Sequence, residues 1–159
     1  MIRFKIKRAT SEDVKRLVEL SMRLADEQSA MDSLYKPGRD RAKELQTSLK
    51  KAVANPRYLV LVAQCKGSIV GCVSGRIEKA RKGVQVSKVG YIGGLYVVPS
   101  FRRQGIGTNL VRLALKWLKK KGIKVVETYA DERNVASLKA LKKSGFAEWQ
   151  KLMLVRFKD

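Results

Sequence analysis

Leu95-Tyr96-Val97-Val98-Pro99-Ser100-Phe101-Arg102-Arg103-Gln104-Gly105-Ile106-Gly107-Thr108 is the stretch that decides how this chain folds. An apolar strand pattern runs into a basic turn, two glycines follow, and a helical pattern begins. The first N–H groups of a helix have no internal partner, and the helix dipole makes that end positive. Gly105 and Gly107 leave no Cβ between the main chain and a ligand, and Arg102 and Arg103 add charge beside it. The helix start beside Gly105 and Gly107 therefore reads as a cradle for a pyrophosphate. The stretch departs from two known phosphate loops. Position 110 is Leu where a dinucleotide fingerprint needs a third glycine, and no Gly-Lys-Ser/Thr follows as in a P-loop.

Outward from this segment, the periodicities give an alternating order. A strand at 3–8 precedes a helix that starts at Thr10, with Asp13 in the capping-box position, and runs to about 29. A loop at 30–38, a charged helix at 40–54 and a hairpin of strands 58–65 and 69–78 follow. Next are a basic loop at 79–88, a strand at 89–98, a helix at 108–120, a strand at 124–130, a helix at 135–143 and a last strand at 152–157. Hairpins mixed with crossover helices predict an α/β fold: a mixed, mostly antiparallel twisted sheet with helices on both faces. The length, 159 residues without a linker or repeat, predicts one domain over 1–159.

Composition narrows the chemistry. There is no His, and the two cysteines are Cys65 and Cys72, so Cys/His metal sites and His-based triads are excluded. The cysteines read as plain buried thiols on one hairpin. No apolar run approaches a membrane span, and the first residues alternate like a strand rather than a secretion signal, which predicts a cytoplasmic protein with no membrane partner. Thirty-five Lys and Arg against 14 Asp and Glu give a net charge of +21. Such a field captures polyanions, either a cofactor with several phosphates or nucleic acid; a solvated lysine-rich surface is the plain alternative.

A second segment adds specificity: Asn134-Val135-Ala136-Ser137-Leu138-Lys139-Ala140-Leu141-Lys142-Lys143-Ser144-Gly145-Phe146. Together the two segments resemble the GNAT superfamily of acetyl-CoA-dependent N-acetyltransferases. Arg102, Gly105 and Gly107 match its Gln/Arg-x-x-Gly-x-Gly/Ala signature. Its second motif, Asn-x-x-Ala ending in Gly-Phe, is met by Asn134, by Ala136 at a nearby position, and by Gly145-Phe146. The resemblance implies acetyl-CoA as cofactor, with pantetheine lying where the strand before the phosphate loop splays from its neighbour. It implies that the backbones of Leu95 and Val97, beside Tyr96, pair with pantetheine, that the N–H groups of Arg103, Gln104, Gly105, Ile106, Gly107 and Thr108 hold the pyrophosphate, that Asn134 binds pantetheine, and that Lys143 reaches the adenosine end. Asn134 also reads as a helix N-cap, and Lys143 as a solvated side chain.

The chain departs from this pattern at the proton-transfer groups. Leu141 stands where many members carry a Tyr acid, and Gly93 and Gly94 stand where many carry an acidic residue. The paired glycines predict space and a bulge there. The substitute candidates are Tyr91, Tyr129 and Glu127, with Tyr96 as a further phenol; ordinary packing is the alternative for each, and proximity alone is another route. The expected partner is an amine acceptor, either a protein N-terminus or lysine or a small amine metabolite. Association with RNA or the ribosome through the basic surface, a non-catalytic acetyl-CoA sensor, and a homodimer stay open.

Overall fold

Strand β2 (Tyr58–Cys65) is apolar on both faces, and this places it inside the sheet. Leu59, Leu61, Ala63 and Cys65 join one core, while Val60 and Val62 join the other. The computed structural model describes residues 1–158. Its sheet has the order β1-β2-β3-β4-β5, with β1 at Lys5–Arg8, β3 at Ser68–Lys79, β4 at Lys88–Val97 and β5 at Val126–Glu127. The first four strands are antiparallel, and β5 runs parallel to β4.

Helices cover both faces. Helix α1 (Val14–Met31) buries Leu17 and Leu20 on one face, joined by Leu49 and Val53 of α2 (Arg41–Ala54). Helix α3 (Ile106–Lys120) buries Ile106, Leu110, Val111, Ala114 and Leu118 on the other, where α4 (Val135–Lys143) adds Leu141. Each of the buried Leu, Ile and Val side chains contributes about 1.5–3 kcal/mol. The fold class is the one the sequence predicts.

The entry to α1 is held by charge. The Thr10 N–H donates to Asp13 Oδ2 at 2.9 Å, and Lys7 Nζ reaches the same oxygen at 2.9 Å. A short 3-10 turn, Ser11–Asp13, leads into the helix.

Three expectations need correction. Helix α3 starts at Ile106 rather than 108, because Gly105, at φ 78°, already turns the chain into it. Strand β5 has two residues rather than the expected 124–130, because its ladder with β4 ends at Tyr91↔Glu127. The strand expected at 152–157 does not form: Leu152, Met153, Leu154, Val155 and Phe157 are exposed and, among the described residues, have no ladder partner. A short apolar run marks a segment able to pair, but it does not supply the neighbouring edge.

The feature that positions the site is a bulge in β4. Cys72 opposes Tyr96 and Ser74 opposes Gly93, so Val73 faces both Gly94 and Leu95. Gly94 has φ 61°, a left-handed conformation that a side chain resists. The extra residue swaps the faces of the strand. Ile92 packs in the α3-side core, whereas Tyr96, also at an even position, packs on the α1 side.

Candidate active site

Beyond Tyr91, β4 has β3 on one side and, among the described residues, no ladder partner on the other. The carbonyls along this stretch show which way its N–H groups point. Gly94 O accepts from the Cys72 thiol at 3.6 Å, and a Cβ built on Gly71 of β3 would meet Tyr96 O at 3.1 Å. Both carbonyls thus face β3. Across a trans peptide the next N–H points the opposite way, so Leu95 and Val97 aim theirs into the gap between β4 and β5. The Val98 N–H returns to β3, donating to Val70 O at 2.8 Å.

The gap leads to the start of α3. The first helical bond runs from the Asn109 N–H to Gly105 O at 3.0 Å. Gly105, Ile106, Gly107 and Thr108 therefore present N–H groups without a backbone acceptor at the positive end of a 15-residue helix. Around Gly107 there is room, as a built Cβ comes no closer than 3.7 Å to Val97 Cγ2. The strand edge offers donors for an amide-bearing arm and the helix start offers donors for phosphates, so this cradle fits acetyl-CoA.

The flanking residues differ in their commitments. Arg102 turns back into the protein: its Nε donates to Val97 O at 2.7 Å, its Nη2 to Glu27 of α1 at 2.7 Å, and it lies over the Tyr96 ring. It ties the loop to β4 and α1. Arg103, at φ 61°, is the loop's exposed charge, and Gln104 beside it is partly exposed. Tyr96 is 4% exposed. Asn134 caps α4, accepting the Ser137 N–H at 3.1 Å through Oδ1, which leaves its side-chain NH2 for a ligand. Lys143 is exposed in the last turn of α4, and Leu141 is in the core.

The candidate proton-transfer groups gather on the sheet face that α1 leaves open. A Cβ on Gly93 would lie 2.7 Å from the Tyr91 ring, so that ring lies over the glycine. The ring centroids of Tyr91 and Tyr129 are 5.7 Å apart, and Tyr129 is 74% exposed. Glu127 sits opposite Tyr91 in the ladder and pairs with Arg81 at 3.4 Å. Burial raises the Tyr91 hydroxyl above the usual phenol value, more than the nearby Arg76 lowers it, so it holds its proton at neutral pH. Burial also pushes the Cys72 thiol up to about 12, which leaves no thiolate for nucleophilic attack. Among the described residues there is no His/Cys/Asp/Glu group suited to a metal, and no helix is long and apolar enough to cross a membrane.

Sequence reasoning missed Arg76 and Ser74. Arg76 pairs with Tyr91 across β3 and β4 and holds its guanidinium carbon 3.9 Å from that ring centroid. Ser74 Oγ donates to Gly93 O at 3.0 Å. The available signal was the alternation of β3, which puts both residues on the face of Tyr91.

Comparison with known proteins agrees with this geometry. The profile of the Acetyltransferase (GNAT) family matches residues 15–146. The chain is 30% identical over 105 residues to an aminoglycoside N(6')-acetyltransferase type 1 of Klebsiella aerogenes, covering 66% of this chain and 69% of that one. It is 30% identical over 115 residues to a probable N-acetyltransferase of Arabidopsis thaliana, covering 60% of this chain but 28% of that longer protein. A predicted acetyltransferase of Clostridium acetobutylicum, solved with acetyl-CoA, superposes with a TM-score of 0.77 at 20% identity, covering 97% of this chain and 96% of that one. By family profile, by fold and by the cradle at β4 and α3, the chain belongs to the GNAT acetyltransferase family, the acetyl-CoA-dependent N-acetyltransferases.

Proposed function

We propose that the chain moves an acetyl group from acetyl-CoA to a primary amine by direct attack within a ternary complex. The observation that supports this most is the gap beside β4, where the N–H groups of Leu95 and Val97 lead to the open N-terminus of α3. Bound acetyl-CoA supplies the acetyl thioester. The N–H groups of Gly105 to Thr108 hold the pyrophosphate, with Arg103 and Gln104 alongside. Leu95 and Val97 align the pantetheine arm, and one of their N–H groups polarises the thioester carbonyl. Asn134 steadies the arm through its free side-chain NH2, and Lys143 serves the adenosine end.

Tyr91, held protonated, is the proton donor of the site. Glu127 takes the proton that the amine must lose, through water, and Tyr129 closes the open side of the pair. One proton leaves the amine and one reaches the departing thiolate, so the exchange balances. General acid–base help of this kind contributes about 10²–10⁴-fold. Leu141, buried where many relatives carry a phenol, takes no part.

The test is calorimetry with acetyl-CoA at moderate and high salt. One-to-one binding that survives high salt supports the cradle. Heat that vanishes with salt supports the second reading, a nucleic-acid-associated protein that uses its surface charge. That reading draws on the net charge of +21 and on the lack of any Asp or Glu between Glu78 and Glu127.

A further inference from the structure

The open sheet face beside Tyr91 carries a pattern that acetyl transfer alone does not require. Five acidic side chains near this face and the cleft are each matched by an arginine. Glu27 pairs with Arg102 at 2.7 Å, Asp32 with Arg156 at 2.5 Å, Asp131 with Arg133 at 2.6 Å and Glu127 with Arg81 at 3.4 Å; Glu78 pairs with Arg76 Nε. A polycationic acceptor would find no free carboxylate among these five. Of these arginines, Arg76 is the one set over the Tyr91 ring. Its Nε is engaged by Glu78 and its plane rests on Tyr91, but among the described residues its two terminal nitrogens make no hydrogen bond. A guanidinium stacked on an aromatic ring is held in one orientation, and its free fork matches a carboxylate with two parallel bonds.

We infer that Arg76 is the specificity-determining residue of the acceptor site, and that the acceptor is an amine carrying a carboxylate. This rests on the acetyltransferase reading above and adds the substrate class to it. The spacing is set by the strands. Arg76 stands opposite Tyr91, whose ring covers Gly93, two residues before Leu95. With a rise of about 3.3 Å per residue, the guanidinium lies on the order of 8–10 Å from the Leu95 N–H. The carboxylate must therefore be several bonds from the reacting nitrogen, as in an ω-amino acid, a lysine side chain acting through its own carboxylate, or a short peptide. An α-amino acid's own carboxylate is too near. The field of a protein at net charge +21 also favours an anionic ligand over a cationic one.

The test measures kcat/KM for ω-amino acids of three to eight carbons against the matching amino alcohols, which lack the charge. A charge-assisted pair predicts a preference of about tenfold to a hundredfold for the carboxylate at six to eight carbons, absent at three. Arg76→Gln brings the ratio of the two substrates near one, and Arg76→Lys, with the charge but without the fork, keeps part of it. Acetyl-CoA binding by each variant checks that the cradle is intact. Equal use of acid and alcohol by the wild type, a preference that survives Arg76→Gln, or a polycationic aminoglycoside taken ahead of both overturns the inference and leaves acetyl transfer standing. A wild type that binds acetyl-CoA yet acetylates no amine overturns the transferase reading and the inference with it.

Discussion

Gly107→Glu separates the fold of this protein from its cofactor site. A Cβ at Gly107 meets only Val97 Cγ2 at 3.7 Å and Leu95 Cδ1 at 4.0 Å, both ordinary contacts. An acidic residue in the first turn of α3 also suits the helix dipole, by about 0.3–1 kcal/mol. The fold should therefore be unchanged or slightly more stable. The carboxylate, however, occupies the cradle and repels the pyrophosphate. If three charge-assisted bonds are lost at about 1.5 kcal/mol each, binding weakens by about 4–5 kcal/mol, or roughly three decades in Kd. Gly107→Ala, which adds the Cβ without the charge, should lose far less. Thermal unfolding and calorimetry with acetyl-CoA measure the two effects on the same samples. Undiminished binding by Gly107→Glu would refute the placement of the phosphates at α3, and a collapse of its melting temperature would refute the reading of free space.

Two further perturbations test other parts of the site and scaffold. Tyr91→Phe should lower kcat by about 10²-fold or more and leave acetyl-CoA binding intact; since burial keeps the Tyr91 proton on above the ordinary phenol range, the wild-type rate should fall only at alkaline pH, and the variant should lose that limb of its pH–rate profile. Burial opposes the ionised form of Asp13, but its bonds from Thr10 and Lys7 outweigh this and hold the carboxyl below its usual value. Its stabilisation is therefore complete above the unfolded value near 4 and is lost as the pH falls through the lower folded value. Asp13→Asn should cost about 1–2 kcal/mol at neutral pH by denaturant unfolding, with the difference shrinking in acid.

What could be read from the sequence was local. The glycines at 105 and 107, the Asn134 cap and the two-sided apolar pattern of β2 each act through neighbours a few residues away. The paired glycines at 93 and 94 announced the bulge, although not its effect of exchanging the faces of β4. The rest depends on distant partners. Arg102 appears in sequence as a phosphate ligand, yet its guanidinium is claimed by Glu27, 75 residues earlier. Arg76 lies in no motif, and its role emerges only when β3 pairs with β4 and sets it on Tyr91. The segment 152–157 is apolar as strands are, but pairing needs a free edge in register, and the β4–β5 ladder ends after two residues.

The most direct test of the account is release of the coenzyme A thiol from acetyl-CoA, followed with and without a panel of primary amines at high salt. The account predicts thiol release that requires the amine, saturates in it, matches the acetamide formed mole for mole, and disappears in Gly107→Glu. Tight acetyl-CoA binding with no amine-dependent release across the panel would contradict it.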